Sequence, residues 1–294
     1  MERLKLAVCL NSLGLPLRPG LHEVERMAVT GVQVDASGDL SPRSLSQTGR
    51  REFLHLLRAH NLELAALGCP LRHGLDVAEG QQARIDAVKR VMTLSFDLGA
   101  RRVTIQAGHV PAEPDSPPAR LMTEALLALG QHGDRTGSVL AIETGLESGQ
   151  ALRQFLERFD SGGLGVNLDP ANLLLGGFNL AESVRALEGK VVFAQAKDAR
   201  SAGTSRAGQE VPLGHGDIEW MEYLGLLEEI EYRGWRAILA AFPVDVYPVV
   251  LLLILILLLI LVLIFFFILL LIAQCRWLFG WRNSICQNPS TSNE

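Results

Sequence analysis

The chain reads as a (β/α)8 barrel of the TIM type, on two observations. Eight short runs rich in Val, Ile, Leu and Ala recur at 5–10, 31–36, 62–69, 102–108, 139–145, 164–170, 191–199 and 236–242. Longer stretches with apolar side chains at helical spacing lie between them. Continuous apolar runs are what strands buried on both faces look like, and strand–helix alternation repeated eight times closes a parallel sheet into a barrel. An open, doubly wound sheet is the alternative. It would carry a Gly-rich turn after the first strand, and NSLGLPLRPG lacks the GxGxxG pattern.

The elements follow in order. KLAVCL is a buried first strand rather than a signal peptide, and GVQVDA is the second. LSQTGRREFLHLLRAH spaces Phe53, Leu54 and Leu57 along one helical face before the strand LELAALGC. The next helix places Ile85, Val88, Met92 and Phe96 on one side and stops at Gly99, ahead of RVTIQAG. SPPARLMTEALLALGQHG opens with prolines, which suit a first helical turn. VLAIETG, LGVNLDP and VVFAQAKDA are strands five to seven. DIEWMEYLGLLEEIEYRG is a helix with Asp217 in capping position and Trp220, Tyr223, Leu224 and Leu227 facing inward, leading into RAILAAF.

Residues 1–242 therefore form one domain. The net charge of −5 and the absence of a Lys/Arg cluster argue against a nucleic-acid partner. Cys9, Cys69, Cys275 and Cys286 form no CxxC pair and suggest neither a zinc ribbon nor a disulfide framework. Residues 249–273 are 25 unbroken apolar positions, about 37 Å as a helix, and stand where the eighth barrel helix belongs. The polar tail 274–294 places Trp277 and Trp281 beside Arg276 and Arg282, as in an interfacial belt. The expectation is a single-pass C-terminal membrane anchor with the barrel in the cytoplasm. The other reading is a shifted frame, which leaves a cytoplasmic barrel.

Chemistry in such barrels sits at the C-terminal ends of the strands. Those ends carry Asp35, then Arg72 and His73, then Gln106 and His109, then Glu143, Asp169, and finally Gln195, Lys197 and Asp198. Glu143, Asp169 and Gln195 offer oxygen ligands from three adjacent strands, which suits a divalent metal, Mg²⁺ or Mn²⁺. Two neighbouring buried acids want a cation between them.

AIETG, NLDPANLLLGG, QAKDA and PLGHGDIEW, in that order and spacing, resemble the sugar phosphate isomerase/epimerase superfamily with the xylose isomerase-like barrel, over roughly residues 4–240. The resemblance implies a metal held by Glu143, Asp169 and Gln195, the last where many relatives have His. It implies a metal-polarised carbonyl, Glu143 as acid and base, and interconversion of a sugar or small hydroxycarbonyl compound through an enediolate. Arg72, His109, Asn172, Lys197 and His215 are the candidate substrate contacts; Asn172 stands where many epimerases have His. The pattern also wants a Glu on strand eight, just after a YRGW-like turn. YRGW is present at 232–235, but no acid follows until Asp245. Its loss supports a second reading, a catalytically impaired, membrane-tethered relative that binds a sugar or a metal. A DNA-repair endonuclease of the same superfamily is a third, opposed by seven scattered His and the acidic balance. A homo-oligomer is left open.

Overall fold

The structure is a computed structural model that describes residues 5–239, apart from 112, 114 and 203–207. The chain alternates β1 (Leu6–Cys9), α1 (Leu17–Arg26), β2 (Gly31–Asp35), α2 (Gln47–Ala59), β3 (Glu63–Gly68), α3 (Gln81–Asp97), β4 (Arg102–Ile105) and α4 (Pro117–Thr136). It continues through β5 (Val139–Glu143), α5 (Gly149–Leu156), β6 (Leu164–Leu168), α6 (Pro170–Leu175), α7 (Leu180–Ala186) and β7 (Val191–Ala196). A hairpin, β8 (Asp198–Ser201) and β9 (Gly208–Val211), precedes α8 (Trp220–Glu229) and β10 (Arg236–Ile238). Eight parallel strands close a barrel in the order β1-β10-β7-β6-β5-β4-β3-β2, which excludes the open sheet. All eight expected strands are present, with β10 as the eighth of the barrel.

Local chemistry starts the helices. Ser46, Ser116 and Ser148 each accept a hydrogen bond from the backbone N–H three residues on, capping α2, α4 and α5. Prolines fill the first turn of α4, as expected.

Four local expectations are corrected. Asp217 does not cap α8, whose N-cap residue is Glu219 with no side-chain cap bond. It accepts instead from the Ser201 N–H, across the loop. On α8 the buried set is Tyr223, Leu226 and Leu227, so Leu226 takes the place expected of Leu224. Phe96 is 41% exposed, with the Arg101 guanidinium over its ring. The seventh run also divides: the parallel strand ends at Ala196, and Asp198 begins the antiparallel hairpin.

Strand alternation then sorts the barrel interior along its axis. Ala7, Ala141, Phe193 and Ala237 belong to a dry cluster that also takes in Trp235. Gly31 leaves room for the Trp235 ring, which any Cβ there would strike. Two positions further along the same strands, Cys9, Glu143, Gln195 and Leu239 line a cavity. The floor is therefore small and apolar, and the mouth is polar.

The replaced eighth helix, the apolar run 249–273, the tail 274–294 and Asp245 lie outside the described residues. Among the described residues no helix is long and apolar enough to cross a membrane.

Candidate functional site at the barrel mouth

Glu143, at the end of β5, is the hub of the mouth. Its Oε1 accepts from Gln106 Nε2 at 3.1 Å and from Asn172 Nδ2 at 2.7 Å. Its Oε2 accepts from Gln195 Nε2 at 3.2 Å and from Asn167 Nδ2 at 3.3 Å. Four amides from four elements thus fix one carboxylate. Gly145 makes the closest approach achievable: its φ is +118°, and a Cβ there would run into Asn172.

Asp169 is fully buried where β6 turns into α6. Its Oδ1 caps α6 by accepting from the Asn172 N–H at 2.9 Å. The Thr144 hydroxyl ties the ends of β5 and β6 together, accepting from the Asp169 N–H and donating to the Asp169 carbonyl. That accounts for the Thr of AIETG. Burial pushes the Asp169 carboxyl up to about 7, with Lys197 pulling it down and Glu143 adding to the rise.

Lys197 Nζ lies 3.3 Å from Asp169 Oδ2, donates to Asn172 Oδ1 at 3.0 Å and pairs with Glu210 Oε1 at 2.6 Å. Burial opposes its charge, but Asp169, Glu210 and Glu143 outweigh burial and hold the ammonium above its ordinary range. The contact with Asp169 is an ion pair without hydrogen-bond geometry, so Asp169 Oδ2 has no hydrogen-bond partner. Gln33 Oε1, Asn167 Oδ1 and Gln195 Oε1 have none either. Among the described residues these four are all the buried side-chain oxygens left without a hydrogen bond; three sit on β2, β6 and β7, and Asp169 directly follows β6. Buried polar atoms are seldom left so, and oxygens in excess of donors are what a hard divalent cation takes up. The donor set fits Mg²⁺ or Mn²⁺, with Glu143, Asp169 and Gln195 as the residues that would hold it.

The other expected residues fall into two groups. His109 is half exposed and lines, with Glu143 and Asn172, an outer cavity of about 640 Å³. Its Nδ1 is 3.3 Å from the buried carboxylate of Glu147. Burial raises the Glu147 carboxyl, against the Val110 N–H and His109, which lower it. Arg72 is exposed on the loop after β3, which presents Pro70 and Leu71 to the inner cavity instead. His215 is exposed in the loop after β9, where its carbonyl accepts from Arg200.

Two participants, Asn167 and Glu210, escape sequence reasoning, and Asp198, which the sequence does offer, has another role. Asn167 pairs in register with Glu143, two residues before Asp169 and so on the same face; strand parity alone could have marked it. Glu210 reaches Lys197 from the hairpin, and nothing in its local sequence announces that. Asp198 is 1% exposed and takes five donors: the N–H groups of Ala199, Gly214, Gly216 and Ile218, and the Trp220 indole. It anchors the GHGD loop instead of joining the mouth. Cys9 and Cys69 are buried, and burial pushes their thiols to about 11 and about 12, so neither supplies a thiolate.

A closed parallel barrel with paired acids among amides at its C-terminal mouth defines the class. The chain belongs to the xylose isomerase-like TIM barrel family, whose model matches residues 21–248. Among solved structures it is similar to a xylose isomerase domain protein from Planctomyces limnophilus, with a TM-score of 0.71 and 26% identity over 80% of this chain and 89% of that one. A D-tagatose 3-epimerase-like protein matches with a TM-score of 0.67 and 18% identity, over 80% of this chain and 90% of that one. 3-Keto-D-glucoside 4-epimerase from E. coli matches at 0.65 and 13%, over 83% and 94%. At the last two identities the likeness is one of fold alone. No curated protein matches the sequence.

Proposed function

We propose that the chain is a metal-dependent isomerase or epimerase acting on a sugar or a small hydroxycarbonyl compound. The observation that carries this reading is the set of buried amide oxygens without a hydrogen bond on Gln33, Asn167 and Gln195, with the buried acid Asp169, around the fixed carboxylate of Glu143. Membership of the xylose isomerase-like barrel family supports the substrate class.

A divalent ion bound there supplies polarisation of a carbonyl and its neighbouring hydroxyl, which acidifies the adjacent C–H. Glu143 removes that proton and returns it to the neighbouring carbon on the same face, through an enediolate of the substrate, which is an aldose–ketose shift; epimerisation needs a second acid on the opposite face. Asn172 and Gln195 orient Glu143 by their amide N–H groups. Tyr223 donates to the Gln195 carbonyl at 2.9 Å and so holds that strand end in place. The Lys197 ammonium stands ready for a developing oxyanion, with Glu210 at its far side. The cavity beside Glu143 admits a monosaccharide-sized ligand.

A second reading rests on Leu239. This residue, directly after β10 and the last one described, puts an apolar side chain against the inner cavity. Among the described residues that strand offers the mouth no acid, which favours a relative that holds a sugar without turning it over, tethered to a membrane by the run 249–273. The test is incubation of the full chain, in detergent with Mn²⁺ and D₂O, with a panel of ketoses. Deuterium at the carbon next to the carbonyl, absent with Glu143→Gln, is the expected result. Sugar binding without exchange would overturn catalysis in favour of the second reading.

A further inference from the structure

Away from the mouth, the outer helices bring together another set of ligating groups. His22 and Glu25 lie one turn apart on α1, and His60 ends α2. His60 Nδ1 is 2.7 Å from Glu25 Oε2, and His22 Nδ1 is 3.8 Å from the same oxygen. One ligand atom from each of the three residues lies within 4.8 Å of the other two. The two imidazole rings meet edge to face, with centroids 6.4 Å apart. A single ion pair between His60 and Glu25 would account for one of these contacts. It gives no reason for a second imidazole nitrogen to face the same oxygen.

We propose that His22, Glu25 and His60 form a separate surface site for a borderline-soft divalent ion, Zn²⁺ in the first place. Zinc–nitrogen and zinc–oxygen bonds of about 2.0–2.2 Å put tetrahedral ligand atoms about 3.4 Å apart. The two separations to Glu25 bracket that spacing, so small side-chain rotations close the set around an ion. Two imidazoles and one carboxylate select zinc, nickel or copper over Mg²⁺ and Mn²⁺, the reverse of the oxygen-rich mouth. The carbonyl end of α2 also points its partial negative charge here, which favours a cation. His22 and Glu25 are exposed, so water completes the coordination. Glu25 and His60 are 35 residues apart in sequence, and an ion between them staples α1 to α2 across β2. Zinc bound only by the native arrangement raises stability.

The mouth must be silenced to read this site alone. In full chain carrying Glu143→Ala/Asp169→Ala, calorimetry with ZnCl₂ is expected to give one equivalent, lost when His22→Gln/His60→Gln is added, with no heat from MgCl₂. A parallel measurement guards against misfolding of that background. Otherwise unaltered chain saturated with Mg²⁺ is expected to gain melting temperature on adding Zn²⁺, and His22→Gln/His60→Gln is expected to abolish the gain. Absence of zinc binding in a folded sample would overturn the proposal. So would a zinc equivalent or a melting shift that survives loss of both histidines.

Discussion

Asp169 follows the sixth barrel strand and Asp198 the seventh. Each is 1% exposed or less, yet they are built for opposite ends. Asp198 receives five donors, four of them backbone N–H groups of its own hairpin and loop. Asp169 receives one, spends it on capping α6, and leaves Oδ2 facing an ammonium at 3.3 Å. A buried carboxylate with a full set of donors is a structural part. One left short, beside a second acid and surplus amide oxygens, is the kind of carboxylate that the proposed metal site would use.

The comparison breaks most visibly at Asp198. Asp198→Ala strands several buried donors at about 1–3 kcal/mol each, so a loss of at least about 3 kcal/mol in chemical denaturation is expected. Asp169→Asn keeps the cap on α6 and leaves the Lys197 ammonium its pair with Glu210 and its bond to Asn172, so it is expected to cost less stability than Asp198→Ala in the same denaturation experiment. Equal losses at the two positions would erase the distinction. At the hub, Glu143→Gln is expected to lower turnover in a ketose assay by about 10²–10⁴-fold while the protein stays folded by circular dichroism. Gly216→Ala sharpens the anchor side: its Cβ would meet Asp198 Oδ1 and the Ala199 carbonyl, at a cost of about 1–3 kcal/mol in melting experiments. The smallest effect falls to Glu210→Gln. Its half-exposed pair with Lys197 contributes about 0.2–1 kcal/mol, so a shift in KM of a few-fold with kcat little changed is expected.

The fold was largely legible because barrel strands announce themselves locally, as apolar runs cut by turns. β5, β6 and β7 each end in or lead directly into a polar group, so strand position together with oxygen-ligand chemistry singled out Glu143, Asp169 and Gln195. What escaped was decided by distant partners. Asp198 looked like one more acid at a strand end until Gly214, Gly216 and Trp220 folded back on it. Asp217 looked like a helix cap until the hairpin offered it the Ser201 N–H. Glu210 reaches the mouth only through that hairpin, and Phe96 swung outward beneath Arg101. None of these contacts leaves a periodic trace in the chain.

The central claim is that the mouth holds a divalent cation through Glu143, Asp169 and Gln195. The most direct measurement is calorimetric titration of Mn²⁺ into detergent-solubilised full chain, beside the Glu143→Ala/Asp169→Ala variant. One equivalent bound by the parent and none by the variant is the predicted result. A folded parent that binds no Mn²⁺, or a variant that binds it undiminished, would contradict it.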